Sequence, residues 1–275
     1  MEHTKTARLL RWVAVACAVI LTALRVGILK TALDENGLLP PGSKALIVTV
    51  LAAACCFAAL WLLSLRLNRL PGSEACFTKH PVFLGCRLAA AVLVFFGGLL
   101  ALLDGKNALD QTGRLAAVSG IAAALAMLWT ALASDRGKLL FWPRLVTALF
   151  TGAALIIRFR DWSHDPLIIH ITPLLLAWTC CMVETMLLSG FPLGAGHRRS
   201  GVLFGLAAGV FACMAVPDYL LGLQSGLPDL LTLLGLALWC AEAAFALLRD
   251  RVQTETQPEP AEEPEADKEE VISNK

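Results

Sequence analysis

Arg158-Phe159-Arg160-Asp161-Trp162-Ser163-His164-Asp165-Pro166 sets two arginines, two aspartates and a histidine in a chain that is otherwise close to continuous hydrocarbon. An apolar run from Leu139 to Ile157 precedes it, and another from Pro166 to Leu188 follows. A membrane-spanning helix needs about 20 mostly apolar residues. The stretch therefore reads as a polar loop joining two spans. Asp165-Pro166 reads as the start of the second, with the aspartate accepting from first-turn amides and the proline at a position where its missing N–H costs nothing.

Working outward, the same criterion yields six more spans: Leu9–Leu29, Lys44–Leu65, Val82–Leu103, Leu115–Ala133, Gly201–Leu223 and Pro228–Leu248. The composition agrees. The chain is 57% apolar and 16% charged, where soluble domains hold about 45–50% and about 25%. The fold class expected is all-α, a polytopic transmembrane bundle of about eight spans. Residues 1–252 form the bundle. Residues 253–275 are rich in proline and glutamate and are expected to be a disordered acidic tail.

Basic residues orient the bundle. With eight spans, one side receives Lys5, Arg8, Arg11, Arg66, Arg69, Lys79, Arg87, Arg136, Lys138, Arg144, Arg198, Arg199, Arg249 and Arg251. The other receives only Lys30, Lys44, Lys106, Arg114, Arg158 and Arg160. Both termini and the tail are thus expected in the cytoplasm, with the Asp161 stretch outside. The N-terminal segment has the basic and apolar parts of a signal peptide but no small-residue cleavage site, so it reads as an uncleaved first helix. Nine cysteines lie mostly within apolar runs, where a thiol behaves as a small hydrophobe. No Lys/Arg cluster with interleaved aromatics points to nucleic acid. The expected partners are membrane lipids and, through the tail, a protein.

Ionisable residues inside a membrane usually face the bundle interior and mark function. In the sixth span His170, Pro173, Ala177, Cys181 and Glu184 follow steps of three and four, which aligns them on one helical stripe. Glu184 lies about 21 Å below His170 at 1.5 Å per residue. Arg25 near the end of the first span, His170, and Asp218 in the seventh share one outer depth, with Asp161 and His164 just above. This set reads as an outer polar cluster with three open interpretations. It is a structural Arg25–Asp218 pair, a site for a small polar ligand or proton, or a metal site through His164, His170 and a carboxylate. Glu184 and Glu242 read as inner-rim carboxylates reaching water or a basic loop, with Arg198 or Arg199 the partner for Glu242. Gly201, Gly205 and Gly209 recur every fourth residue, a small-residue ladder that lets a second backbone approach. Cys76, His80 and Cys86 supply three potential zinc ligands where a structural site wants four. No metal, cofactor or catalytic residue is expected, because none of the common catalytic or nucleotide-binding patterns occurs.

The stretch Phe159-Arg160-Asp161-Trp162-Ser163-x-Asp165-Pro166-Leu167 resembles one found in a group of bacterial multi-pass membrane proteins to which no activity is attached. The resemblance implies a bacterial cytoplasmic membrane and carries no mechanism. Three functional classes follow from the residues: a transporter-like or ligand-sensing protein using the outer cluster, a non-enzymatic scaffold or accessory subunit docking partners through tail and loops, and an intramembrane enzyme. Reporter fusions test the topology. Those placed after Arg114 and Asp165 should report outside, and those after Arg136, Arg199 and Arg251 cytoplasm. A cytoplasmic signal after Asp165 would contradict eight spans.

Overall fold

Hydrocarbon offers the backbone no water, so a spanning segment must satisfy its own amides and carbonyls as a helix. The computed structural model describes residues 2–31, 44–67, 71–72, 80–104, 111–133, 138–162, 168–220 and 226–249. Among these lie eight long helices: α1 (Glu2–Thr31), α2 (Lys44–Ser64), α3 (Pro81–Leu103), α4 (Gln111–Leu132), α5 (Phe141–Trp162), α6 (Ile168–Gly190), α7 (Arg198–Leu220) and α8 (Leu227–Leu247). Each is long and apolar enough to cross a membrane. Helix α3 opens on His80, whose Nδ1 accepts from the Val82 amide at 3.3 Å, with Pro81 in the first turn. Helix α8 follows Gly226, whose φ of +143° suits glycine alone, and carries Asp229 in its first turn. A carboxylate there complements the positive end of the helix.

One expectation is corrected. The charged stretch is not a loop throughout. Helix α5 continues through Arg158, Phe159, Arg160 and Asp161 to Trp162. The helix continues because Arg158 finds Asp229 and the Trp178 ring as partners and Arg160 is exposed, so neither charge has to end it. His164, Asp165 and Pro166 lie outside the described residues, as do Cys76 and the tail.

Helices α6, α7 and α8 form the centre. In α7 72% of the span is buried, in α8 67% and in α6 56%, against 22% in α2. Helix α7 packs on both α6 and α8, and α1 and α2 lean on its outer side. From α8 the packing continues to α3, α4, α5 and back to α6, closing a ring. Large apolar side chains such as Val19, Leu51, Leu62, Val118 and Trp129 remain exposed on the outer helices. Such a surface is unsuited to water and natural against lipid.

Short elements tie one end together. Pro71–Gly72 pairs antiparallel with Gly196–His197, so the α2–α3 and α6–α7 connections share that end. The 3-10 turn Lys138–Leu140, between α4 and α5, touches the Phe191–Leu193 turn there too. The opposite end holds the ends of α1, α5 and α7 and the start of α8.

The α7–α8 contact is backbone-close. A Cβ on Gly205 would lie 2.5 Å from the Cys240 carbonyl oxygen and 2.8 Å from the Ala244 Cβ, whereas one on Gly209 would meet Ala241 Cβ at 3.4 Å. Gly235 of α8 is equally confined, 2.8 Å from the Ala90 carbonyl oxygen of α3 by the same measure. Gly205→Ala should therefore destabilise the protein in detergent by about 1–3 kcal/mol, the usual cost of overpacking. Gly209→Ala should leave the melting temperature nearly unchanged. Equal tolerance of both would show that α7 and α8 do not meet at Gly205.

Candidate functional site

Two polar clusters occupy opposite ends of the central helices. At the α1/α7 end, Arg25 Nε donates to Asp218 Oδ1 at 2.8 Å, with the side chains 2% and 4% exposed. The pair is held by burial on α1 and by the last turns of α7, beyond Pro217. Two charges in an apolar interior must be paired, since one left alone costs several kcal/mol.

A second pair joins this end. Arg158 near the end of α5 binds Asp229 in the first turn of α8. The same guanidinium lies 4.0 Å from the ring centre of Trp178 on α6, a cation–π distance, and donates to the Ala154 carbonyl. Next to Asp218 in the chain is Tyr219, which interacts electrostatically with Asp218, Asp229 and Arg158. Its hydroxyl is buried and has no hydrogen-bond partner among the described residues. The cluster is thus built from α1, α5, α6, α7 and α8. Of the residues assigned to it from sequence, Arg25 and Asp218 meet. His170 sits on α6 and Asp161 on α5, but both side chains, and all of His164, lie outside the described residues.

At the other end, Arg87 of α3 donates from Nε to Glu242 Oε2 at 2.8 Å. This corrects the partner expected for Glu242. Arg198 instead donates to the Leu247 carbonyl at 2.8 Å, and Arg199 to the Leu67 carbonyl. Both guanidinium groups thereby hold carbonyls exposed where a helix ends. The rim assignment is corrected too. Glu184 is 0% and Glu242 4% exposed, so both are buried inside the bundle and not open at its rim. Arg144 of α5 donates from Nη1 to the Leu188 carbonyl at 2.9 Å and acts electrostatically on both glutamates. Beside Glu184, Thr185 shares a 2.8 Å hydrogen bond with Thr151 of α5. Gly201, first of the glycine ladder, abuts Glu184: a Cβ there would lie 3.5 Å from Oε1. A cavity of about 600 Å³ opens nearby, lined by Trp61 and Ser64 of α2 and by His197, Arg198, Arg199 and Ser200.

Sequence reasoning missed Arg87–Glu242 and Arg158–Asp229. The depth matching that linked Arg25 with Asp218 applies to both. Arg87 lies six residues into α3 and Glu242 five from the end of α8, at one end of the bundle. Depth alone leaves several partners possible, and helix adjacency selects among them. No protein-family model, curated protein or solved structure matches the chain. The fold itself defines the class, an all-α bundle with the eight membrane-length helices of a multi-pass membrane protein.

Removing one member of a buried pair strands the other. Asp218→Ala is expected to cost about 3–5 kcal/mol. Adding Arg25→Ala should recover part of that loss. A double-mutant cycle on denaturant stability measures the coupling, and strictly additive losses would contradict the contact.

Proposed function

We propose that the protein binds a small polar ligand at the Asp218 end of the bundle, in a transporter-like or ligand-sensing role. It does so as a multi-pass protein of the bacterial cytoplasmic membrane, with both termini inside and this cluster on the outer side. The basic-residue asymmetry supports the orientation, and the resemblance carried by residues 159–167 supports the bacterial membrane.

One observation carries the ligand reading. The Tyr219 hydroxyl is buried beside two ion pairs without a hydrogen-bond partner among the described residues. Buried polar groups are nearly always satisfied, and an exception calls for a reason. A ligand hydroxyl, amine or carboxyl supplies one, and the surrounding Arg158, Asp229 and Asp218 give it charges of both signs to meet. Arg158–Asp229 suits an entrance, being partly exposed at 14% and 38%, while Arg25–Asp218 closes the floor.

Tyr219→Phe tests this without disturbing packing. It should leave the melting temperature close to wild type, because no hydrogen bond among the described residues is lost. It should weaken by about tenfold or more the binding or proteoliposome uptake of whichever amino acid, sugar or organic ion from a screened panel engages the wild type, the scale of one lost hydrogen bond in a buried site. A strongly lowered melting temperature would make the hydroxyl structural. Unchanged binding would place the ligand elsewhere.

A further inference from the structure

The second cluster has no part in the reading above. Its centre is Glu184, with 0% of the residue exposed and neither carboxyl oxygen hydrogen-bonded among the described residues. An ionised carboxylate is an acceptor that needs donors. In an apolar interior without them the charged form is disfavoured, and the group relieves this by taking up a proton.

Other neighbours pull the opposite way. Arg144 of α5 acts on Glu184 as a positive charge while spending Nη1 on the Leu188 carbonyl. On α7 the adjoining residue is Gly201, in the first turn, where the positive end of the helix favours an anion. From α6 itself come the thiols of Cys180 and Cys181, and from α8 the thiol of Cys240. Glu242 stands next in this network and is held by Arg87 of α3 through Oε2, leaving its Oε1 buried without a hydrogen-bond partner among the described residues. Two carboxyls therefore face two guanidinium groups, and among the described residues Glu242 is hydrogen-bonded to Arg87 while Glu184 accepts no hydrogen bond. Burial opposes the charge on Glu184, while Arg144 and the α7 terminus support it. Among the described residues no three His, Cys, Asp or Glu side chains converge as a metal site. A proton is the cation this geometry accommodates.

We propose that Glu184 is a reversible proton-binding site inside the bundle, exchanging with the end at which α6 finishes and α7 begins. The carboxylate gains one proton from water and the neutral acid returns it, with no other bond changed. The cavity lined by His197, Arg198, Arg199 and Ser200 lies at the same end, and Ser200 directly precedes Gly201, against which Glu184 rests. The site stands independently of any ligand at Tyr219.

Infrared difference spectra of the full-length protein in liposomes, recorded from alkaline to mildly acidic pH, test the proposal. A protonated-carboxyl stretch that grows with acid, shifts in heavy water, vanishes in Glu184→Gln and persists in Glu242→Gln is the expected result. Glu184→Asp keeps a carboxyl at a different frequency and assigns the band if the glutamine variant does not reach the membrane. A band absent at every pH would mean a permanently ionised group. A band constant at every pH would mean a permanently neutral one. A titrating band that follows Glu242 instead would move the site. Each of these three overturns the inference.

Discussion

Among the described residues three ion pairs cross the bundle, and each joins an arginine of α1, α3 or α5 to an acid on one of the last two helices. Arg25 of α1 meets Asp218 of α7, Arg87 of α3 meets Glu242 of α8, and Arg158 of α5 meets Asp229 of α8. A charge within a membrane is tolerated when paired and facing inward. These pairs therefore constrain which helices surround α7 and α8, and at what height. Hydrophobicity alone cannot do this, because lipid tails are as apolar as any leucine face.

The pairs work together with close backbone contact. Helix α7 lies against α8 at Gly205, where no larger side chain fits, and α8 lies against α3 at Gly235. In a bilayer such contacts gain dispersion energy that longer side chains would forfeit by holding the helices apart. Glycine is a poor helix former in water. Here its missing side chain brings the paired charges within reach, so the ladder and the ion pairs belong to one arrangement.

The two polar clusters differ in what is left unsatisfied. At one end, among the described residues, Asp218 and Asp229 are matched by arginines and the phenol of Tyr219 has no hydrogen-bond partner. At the other, a carboxyl is without hydrogen bonds while Arg144 serves a backbone carbonyl nearby. A neutral donor without a bond suits recognition of a polar solute. A carboxyl without a bond suits exchange of a proton. Helix α7 carries elements of both, with Tyr219 in its last turn and Gly201 in its first.

The sequence by itself determined the class and the spans, because about 20 apolar residues in hydrocarbon have little choice but a helix. It also placed Arg25 and Asp218 at one depth and put glycines on one stripe of α7, since both follow from helical rise and period. It did not determine that α5 runs through Arg158 to Trp162, because charged residues extend a helix as readily as they end one when their side chains find partners. It did not determine that Glu184 is buried or that Glu242 takes Arg87. A residue's depth is a property of its own helix, but its neighbours depend on how helices are arranged around it. That arrangement, with α7 at the centre and α3 against α8, was decided only in the tertiary structure, where contacts between residues more than a hundred positions apart are chosen together.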